Sequence, residues 1–388
     1  MTSTASRPTA TRHKRRQPRT APFVGLVVVV ALLAALGLVM VLSASSVQAI
    51  REHGSSWYFF NRQLVWLGLG TAAMVWTMRV DYRGWQKLGA PILALAAFLT
   101  ALVLVPGVGI TVGGSSRWLG YGPARMQPTE LVKVGILLFA ADLLTRRADR
   151  MQDTRATLRP LLLVFAGVGA LMLAQPDLGT TLVTGGILMV ILFVAGTPLS
   201  SVVTLSAAGV GLTLLLAKAE PYRWARMTAF LDPWADASNT GYQASQGLVA
   251  LASGGLFGVG LGASRSKWGF LPAAHTDFIF AVIGEELGTL GALVVLGLFV
   301  TLTCLGIRAA LRAPDRFGML TAAGITAWIT GQAIINMGAV VGLMPITGVP
   351  LPFVSLGGSS LILSMAMVGV LLNITRQGRG KPRPRAGS

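Results

Sequence analysis

The sequence predicts an all-α, polytopic membrane protein with ten transmembrane helices and both termini on the cytoplasmic side. Three observations carry that prediction. Hydrophobic residues make up 53% of the 388 residues and charged residues only 12%, where a soluble domain carries about 25% charged residues. Ten apolar runs approach the roughly 20 residues that a helix needs to cross a bilayer. The basic residues fall unequally on the two sides that those runs define. A chain so poor in charge cannot clothe several globular surfaces, which argues against a soluble enzyme and a disordered protein.

Residues 1–20 are polar and basic without apolar periodicity and read as a disordered cytoplasmic tail. The first apolar run, Ala21 to Leu42, exceeds the roughly 7–15 residues of a signal-peptide core. Small residues follow it (Ser43 to Ser46), yet an uncleaved helix is the better reading. Further runs cover 62–78, 88–106, 129–145, 158–174, 178–196, 198–218, 287–308, 317–340 and 356–374, and a basic tail, 375–388, closes the chain. The transmembrane domain is thus 21–374. Its largest extracytoplasmic loop is about 219–286, between the seventh and eighth helices, and its second is 107–128.

The segments on the side of the termini hold 22 Lys and Arg, the opposite side holds 9, and Lys133 falls inside a helix, which accounts for all 32. Cytoplasmic loops are enriched in Lys and Arg, so this asymmetry sets an N-in, C-in orientation. It also explains the net charge of +18 without a nucleic-acid partner, and none is expected. A single cysteine, Cys304, excludes an intrachain disulfide, and His13, His53 and His275 are too scattered for a histidine metal site.

The unusual polar chemistry collects at the extracytoplasmic ends. In the stretch from Leu271 to Gly288, Pro272 ends what precedes it, Thr276 is the expected N-cap, and Asp277 is expected in the first helical turn, where the macrodipole favours a carboxylate. Capping alone is one explanation of Asp277. The following helix is apolar and heads into the membrane, with Ala281, Gly284 and Gly288 forming a shallow groove that admits either a lipid chain or a neighbouring helix. Glu285 and Glu286 lie about 12 Å further along at 1.5 Å per residue, with loop arginines as the expected partners. Pro128 suits a helix start. Glu130 and Lys133, three residues apart, can face each other as an intrahelical ion pair. Lys133 nevertheless lies a turn into an apolar helix, where charge points to function. Arg125 and Lys133 together offer charge-assisted hydrogen bonds to a phosphate. Asp177, after Gln175 and Pro176, either caps the next helix or shares an outward cavity with Lys133. Gly357 and Gly358 allow close backbone approach, and Gln332 and Asn336 share a helix face suited to interhelical hydrogen bonds. Arg223 and Arg226, among aromatic residues, suit an interfacial layer and anionic headgroups.

These clusters, in this order, resemble the SEDS family, which contains FtsW and RodA. The matching stretches are Gln127-Pro128-Thr129-Glu130 with Lys133, Gln175 to Thr180, Phe230 to Trp234, Gly241-Tyr242-Gln243, His275 to Ala281 and Pro350 to Ser360. They run across nearly the whole spanning region. Ser43 to Ser46, Tyr58 to Gln63 and His275-Thr276-Asp277 look more like the FtsW, or division, branch than the RodA, or elongation, branch. Two positions depart from the family pattern: Leu356 replaces a tyrosine, and Thr129 replaces a serine while keeping the hydroxyl.

The resemblance implies a peptidoglycan glycosyltransferase of the bacterial cell membrane that polymerises lipid II. It also implies a class B penicillin-binding protein and other division membrane proteins as partners, with the septum as location. Asp277 matches the family's catalytic residue. Arg125 and Lys133 match basic positions that handle substrate, and Glu130 and Asp177 line the same cavity. Gln127, Arg117 and His275 complete the candidate substrate-binding set. In the reaction a sugar 4-hydroxyl attacks an anomeric carbon and undecaprenyl pyrophosphate departs. This asks for a base near the hydroxyl, worth about 10²–10⁴-fold, and for positive charge near the phosphates. A carboxylate at a helix N-terminus is a weakened base, so orienting the hydroxyl or holding a divalent cation are alternative roles for Asp277. Mg²⁺ or Mn²⁺ suits an Asp-plus-pyrophosphate site, although the sequence displays no dedicated metal cage. A lipid II flippase and a scaffold for the crosslinking partner are the rival readings. No internal repeat supports the flippase.

Overall fold

The computed structural model describes residues 21–112, 115–122, 124–150 and 153–378. The tail expected at 1–20 and most of that at 375–388 lie outside the described residues, as do the side chains of Arg223 and Arg226. The helices are α1 (Ala21–His53), α2 (Tyr58–Arg79), α3 (Arg83–Gln86), α4 (Gly89–Val103), α5 (Pro128–Arg146), α6 (Thr154–Ala174), α7 (Leu178–Val194), α8 (Leu199–Lys218), α9 (Pro221–Thr228), α10 (Tyr242–Ser253), α11 (Ile279–Leu311), α12 (Arg316–Val340) and α13 (Gly358–Gln377). Every one of the ten apolar runs is a helix. By length and composition α1, α6, α8, α11, α12 and α13 can each cross a membrane, and α4 and α7 are shorter apolar helices.

Local chemistry sets the helix starts. Pro128 opens α5, where its missing N–H has no helical partner to lose. Asp177 and Asp315 cap α7 and α12 by accepting from the amides of Thr180 and Gly318. α12 is central and packs against α5, α7, α11 and α13. α13 lies along α2, and Gly369 permits that approach: a Cβ there would collide with Thr77 Oγ1 and the Met74 carbonyl. α8 is the contrast. Only Val202 and Ala217 are buried along it, and Leu199, Val203, Val210, Leu212 and Leu215 are exposed, as suits a helix facing lipid.

Two ends result. The basic end carries the α2–α3, α5–α6, α7–α8 and α11–α12 connections, and the opposite, loop-rich end carries the long ones. Two features of the loop-rich end differ from a plain helical expectation. Residues 110–126 form a three-stranded antiparallel meander, β1 (Ile110–Val112), β2 (Ser115–Tyr121) and β3 (Ala124–Met126), in the order β1-β2-β3. Helix α11 is broken at Gly288 (φ 71°, ψ −171°). Residues 279–287 therefore belong to the loop-rich end, and the apolar span begins after the break.

The break is supported by a backbone ladder. Val259 N and Gly260 N donate to the carbonyls of Glu285 and Glu286, while Thr289 N and Leu290 N donate to those of Gly255 and Leu256. Unwound backbone near a membrane needs such partners. The groove expected along Ala281, Gly284 and Gly288 is filled by protein: a Cβ on Gly284 would strike Leu251 of α10, and one on Gly288 would strike Gly258.

Candidate functional site

Asp277 sits in a turn ahead of α11. Thr276 N and Phe278 N both donate to the Ala273 carbonyl, at 3.0 and 3.2 Å, and Ala273 adopts φ 56°, a left-handed conformation uncommon for a residue with a Cβ. α11 begins only at Ile279, with Phe278 in the capping position and no side-chain cap. Thr276 is therefore not the N-cap, and Asp277 is not in the first helical turn. The Thr276 hydroxyl instead donates to Ala273 O at 3.2 Å, closing the turn that delays the helix. Asp277 is half-buried.

The irregular segment 341–357 between α12 and α13 laces this turn down. Leu356 N donates to His275 O at 3.0 Å, and Ser355 Oγ donates to Thr276 O at 2.6 Å. Gln63 of α2 binds both ends of that contact, donating to Ser355 O and accepting from Gly357 N. Gly348 faces the carboxylate: at φ 71° it has no side chain, and a Cβ there would lie 3.6 Å from Asp277 Oδ2. Gly358 passes tight against the Trp66 ring, where a Cβ would sit 2.7 Å from its nearest atom, which is the close approach expected of the glycine pair. Leu356, where the family pattern has tyrosine, contributes its backbone to the lacing, while its side chain packs against the core.

Lys133 and Glu130 face each other as expected, with Lys133 Nζ 2.7 Å from Glu130 Oε1 and both side chains at most 3% exposed. Lys133 Nζ also donates to Gln332 Oε1 at 3.0 Å and lies 4.9 Å above the Trp328 ring. Asp177 takes the capping role of the two expected for it. Its Oδ1 accepts from Thr180 N as a cap, and its Oδ2 accepts from Gln127 Nε2 and Thr129 Oγ1 at 3.0 and 3.2 Å. Thr129 lies one turn before Lys133 on α5, so the contacts of Asp177 and of Lys133 are made on the same helix, with both side chains enclosed.

The two arginines of the meander diverge. Arg117 on β2 binds the carbonyls of Gln175 and Pro176, and its Nη1 lies 3.8 Å from Asp177 Oδ1. Arg125 on β3 pairs with Gly120 across the strands. It therefore projects from the opposite face to Arg117, by the two-residue period of a strand. It is exposed, and its Nε donates to Gly122 O. The structure thus places Arg117 beside Asp177 and Arg125 exposed on the hairpin, while Lys133 is enclosed.

His275 is buried and stacks on Phe59, with ring centroids 5.1 Å apart. Burial pushes its pKa down to about 4, against an upward pull from Glu52. It is a neutral packing side chain whose carbonyl anchors Leu356. Glu285 and Glu286 take Ser264 Oγ, the Arg265 amide, Ser43 Oγ and Lys267 Nζ as partners. The expected arginine thus acts through its backbone, and the pair fastens the 259–267 loop to α1. Among the described residues no group of three His, Cys, Asp or Glu is arranged to hold a metal ion.

Sequence reasoning missed Gln63 and Ser355 as organisers. Gln332 makes the expected interhelical hydrogen bond, to Lys133 of α5, whereas Asn336 holds backbone carbonyls outside the helices, at Asp277 and Val349, which the i,i+4 spacing did not announce.

Comparison with known proteins fits this geometry. A family model described as a cell cycle protein, covering FtsW, RodA and SpoVE, matches residues 24–380. The chain belongs to the FtsW/RodA/SpoVE family. Stage V sporulation protein E of Bacillus subtilis is 42% identical over 361 residues, 93% of this chain and 99% of that protein. A probable peptidoglycan glycosyltransferase FtsW of Geobacter metallireducens is 40% identical over 350 residues, 90% of this chain and 93% of the relative. Among solved structures, a chain of a peptidoglycan synthase complex that coordinates polymerization and crosslinking superposes with a TM-score of 0.74 at 31% identity, covering 91% of this chain and 97% of that one. The rod shape determining protein RodA of Thermus thermophilus gives a TM-score of 0.68 at 32% identity, covering 92% and 97%. The SEDS resemblance read from the motifs is therefore correct, and the chain is an integral membrane protein of that fold.

Proposed function

We propose that this chain is a peptidoglycan glycosyltransferase that polymerises lipid II into glycan strands and releases undecaprenyl pyrophosphate. The supporting observation is the convergence at the loop-rich end. The Asp277 turn and the Lys133–Glu130 pair are held by one face of α12 and by one irregular segment, 341–357. Asp277, half-buried beside a glycine, acts as the base for the acceptor 4-hydroxyl. Its place ahead of the first turn of α11 lessens the weakening that a helix N-terminus would impose. Arg125, the exposed cation of the expected set, meets the pyrophosphate at the rim. Arg117 stands beside Asp177, and Lys133 supplies positive charge from its enclosed position. A divalent cation is the alternative partner of Asp277; it would take its remaining ligands from pyrophosphate and water, and it would neutralise charge on the leaving group.

The protein works in the bacterial cell membrane, N-in and C-in, at the division septum beside a class B penicillin-binding protein and other division proteins. The superposed chain belongs to a peptidoglycan synthase complex that coordinates polymerization and crosslinking, which supports a penicillin-binding protein partner.

Purified protein given labelled lipid II tests the reading. Glycan polymer is expected from wild type and none from an inserted, folded Asp277→Asn variant. Leaflet exchange without polymer would make the protein a flippase, and neither activity a scaffold. A titration with chelator separates base from cation holder: polymerisation by a metal-free sample supports the base.

A further inference from the structure

Gln332 and Asn336 lie one turn apart on α12 and are buried, 0% and 3% exposed. A buried amide left without partners costs about 1–3 kcal/mol, so the partners reveal what the pair holds. Asn336 places Nδ2 on two backbone carbonyls from two different segments, Asp277 and Val349, each at 2.8 Å. Gln332 donates to the next carbonyl of the same segment, Pro350, at 2.9 Å. Gln332 Oε1 accepts from both Lys133 Nζ and Trp328 Nε1, at 3.0 and 2.9 Å. Consecutive carbonyls, 349 and 350, are thus gripped by amides spaced one turn apart, about 5.4 Å along the axis. One amide also carries the peptide of Asp277, and the other carries the ammonium of Lys133. Asn336 Oδ1 is buried and has no hydrogen-bond partner. A leucine of similar shape would fill the space without that orphan acceptor, so packing does not account for an amide here. What Nδ2 holds does.

We infer that Gln332 and Asn336 are positioning residues for glycosyl transfer. Together they fix the separation between the Asp277 carboxylate and the Lys133 ammonium without touching substrate. The inference rests on the catalytic reading given above. The Asp277 turn cannot slide along α12 without breaking the Asn336 contacts, and Lys133 cannot follow it without leaving Gln332. Reacting groups displaced by about 1 Å can cost 10²-fold in rate, so a device of this kind should act on turnover and not on substrate affinity.

The test compares kcat and KM for lipid II in the full-length protein, for wild type, Asn336→Gln, Asn336→Leu and Gln332→Met, with Asp277→Asn as control. Asn336→Gln keeps both donor hydrogens and lengthens the arm by one methylene. It therefore shifts the held carbonyls while leaving them partnered. The expected result is a kcat about 10- to 100-fold lower in Asn336→Gln and Gln332→Met, with KM within about twofold of wild type. Thermal melting of Asn336→Gln should stay near wild type. If Asn336→Leu fails to accumulate, Asn336→Gln decides. Wild-type kcat in folded Asn336→Gln, or a loss confined to KM, overturns the inference. An active Asp277→Asn control would instead overturn the catalytic reading, whereas an inactive control beside fully active amide variants overturns only the positioning role.

Discussion

Lys133 shows how burial changes the meaning of a substitution. Its ammonium and the Glu130 carboxylate are 2.7 Å apart and almost wholly enclosed. Removing one partner of a buried pair costs about 3–5 kcal/mol, because the other charge is stranded. Lys133→Met alone should therefore accumulate poorly, for reasons unrelated to catalysis. The double variant Glu130→Gln, Lys133→Met strands no charge, and it should recover membrane accumulation while polymerising lipid II poorly. Recovery of both would reduce the pair to a structural role; quantitative blotting beside a polymerisation assay reads the two. His275 gives a pH prediction. Its folded pKa of about 4 lies below the ordinary histidine value of 6.5, so between those values the unfolded chain binds the extra proton and stability rises with pH. The melting temperature in detergent should fall as pH drops from 6.5 toward 4, and His275→Phe should flatten that fall. At neutral pH the ring in the folded protein is uncharged, so His275 should contribute no step to the rate profile there.

At the scale of elements, the ten helical runs were legible because apolar length alone demands helix where no water can satisfy the backbone. The Glu130–Lys133 contact was legible because residues three apart on a helix must meet. The Asp277 turn was not. Thr276 looks like a cap until Ala273 takes the positive φ that draws two amides and the hydroxyl back onto itself, and nothing local to Thr276 announces that. The meander escaped for a related reason: short strands such as Ile110–Val112 carry too few residues for a two-residue period to show. The Gly288 break was hidden inside an apolar helical pattern. Its φ and ψ of 71° and −171° fall in a region essentially reserved for glycine, worth about 1–3 kcal/mol to any other residue. A Cβ there would also collide with the Gly258 amide nitrogen. Gly288→Ala should therefore loosen the 255–260 ladder and lower the melting temperature. Polymerisation should fall with it, because residues 279–287 carry the Asp277 turn. Unchanged melting would show that the break tolerates a side chain and that the ladder is not what supports it.

Across the whole molecule, the charge count along the sequence foretold two unlike ends, and the structure ties the basic end together separately from the site. Tyr82, fully buried, donates its hydroxyl to Asp315 Oδ2 at 2.6 Å, and Arg83 meets the same oxygen at 2.9 Å. Tyr82 N donates to Asn373 Oδ1 of α13 at 3.1 Å, while Asp315 Oδ1 caps α12 through Gly318 N. This cluster joins the α2–α3 connection, the start of α12 and the end of α13, the three elements whose other ends frame the Asp277 site. Burial and the Asp315 carboxylate raise the Tyr82 pKa well above the ordinary tyrosine value, so the hydroxyl remains a donor throughout the physiological range. Tyr82→Phe removes one hydrogen bond but leaves Asp315 paired with Arg83 and still capping α12, so the loss should be about 1 kcal/mol of stability. The two ends lie on the order of a bilayer core apart, about 30 Å, and substitutions that distant without shared partners add independently. Tyr82→Phe should thus lower the melting temperature and leave kcat for lipid II polymerisation unchanged. Combined with Asn336→Gln, its effect on melting should simply add. A fall in kcat at unchanged melting would show instead that α12 and α13 transmit the state of the basic end to Asp277.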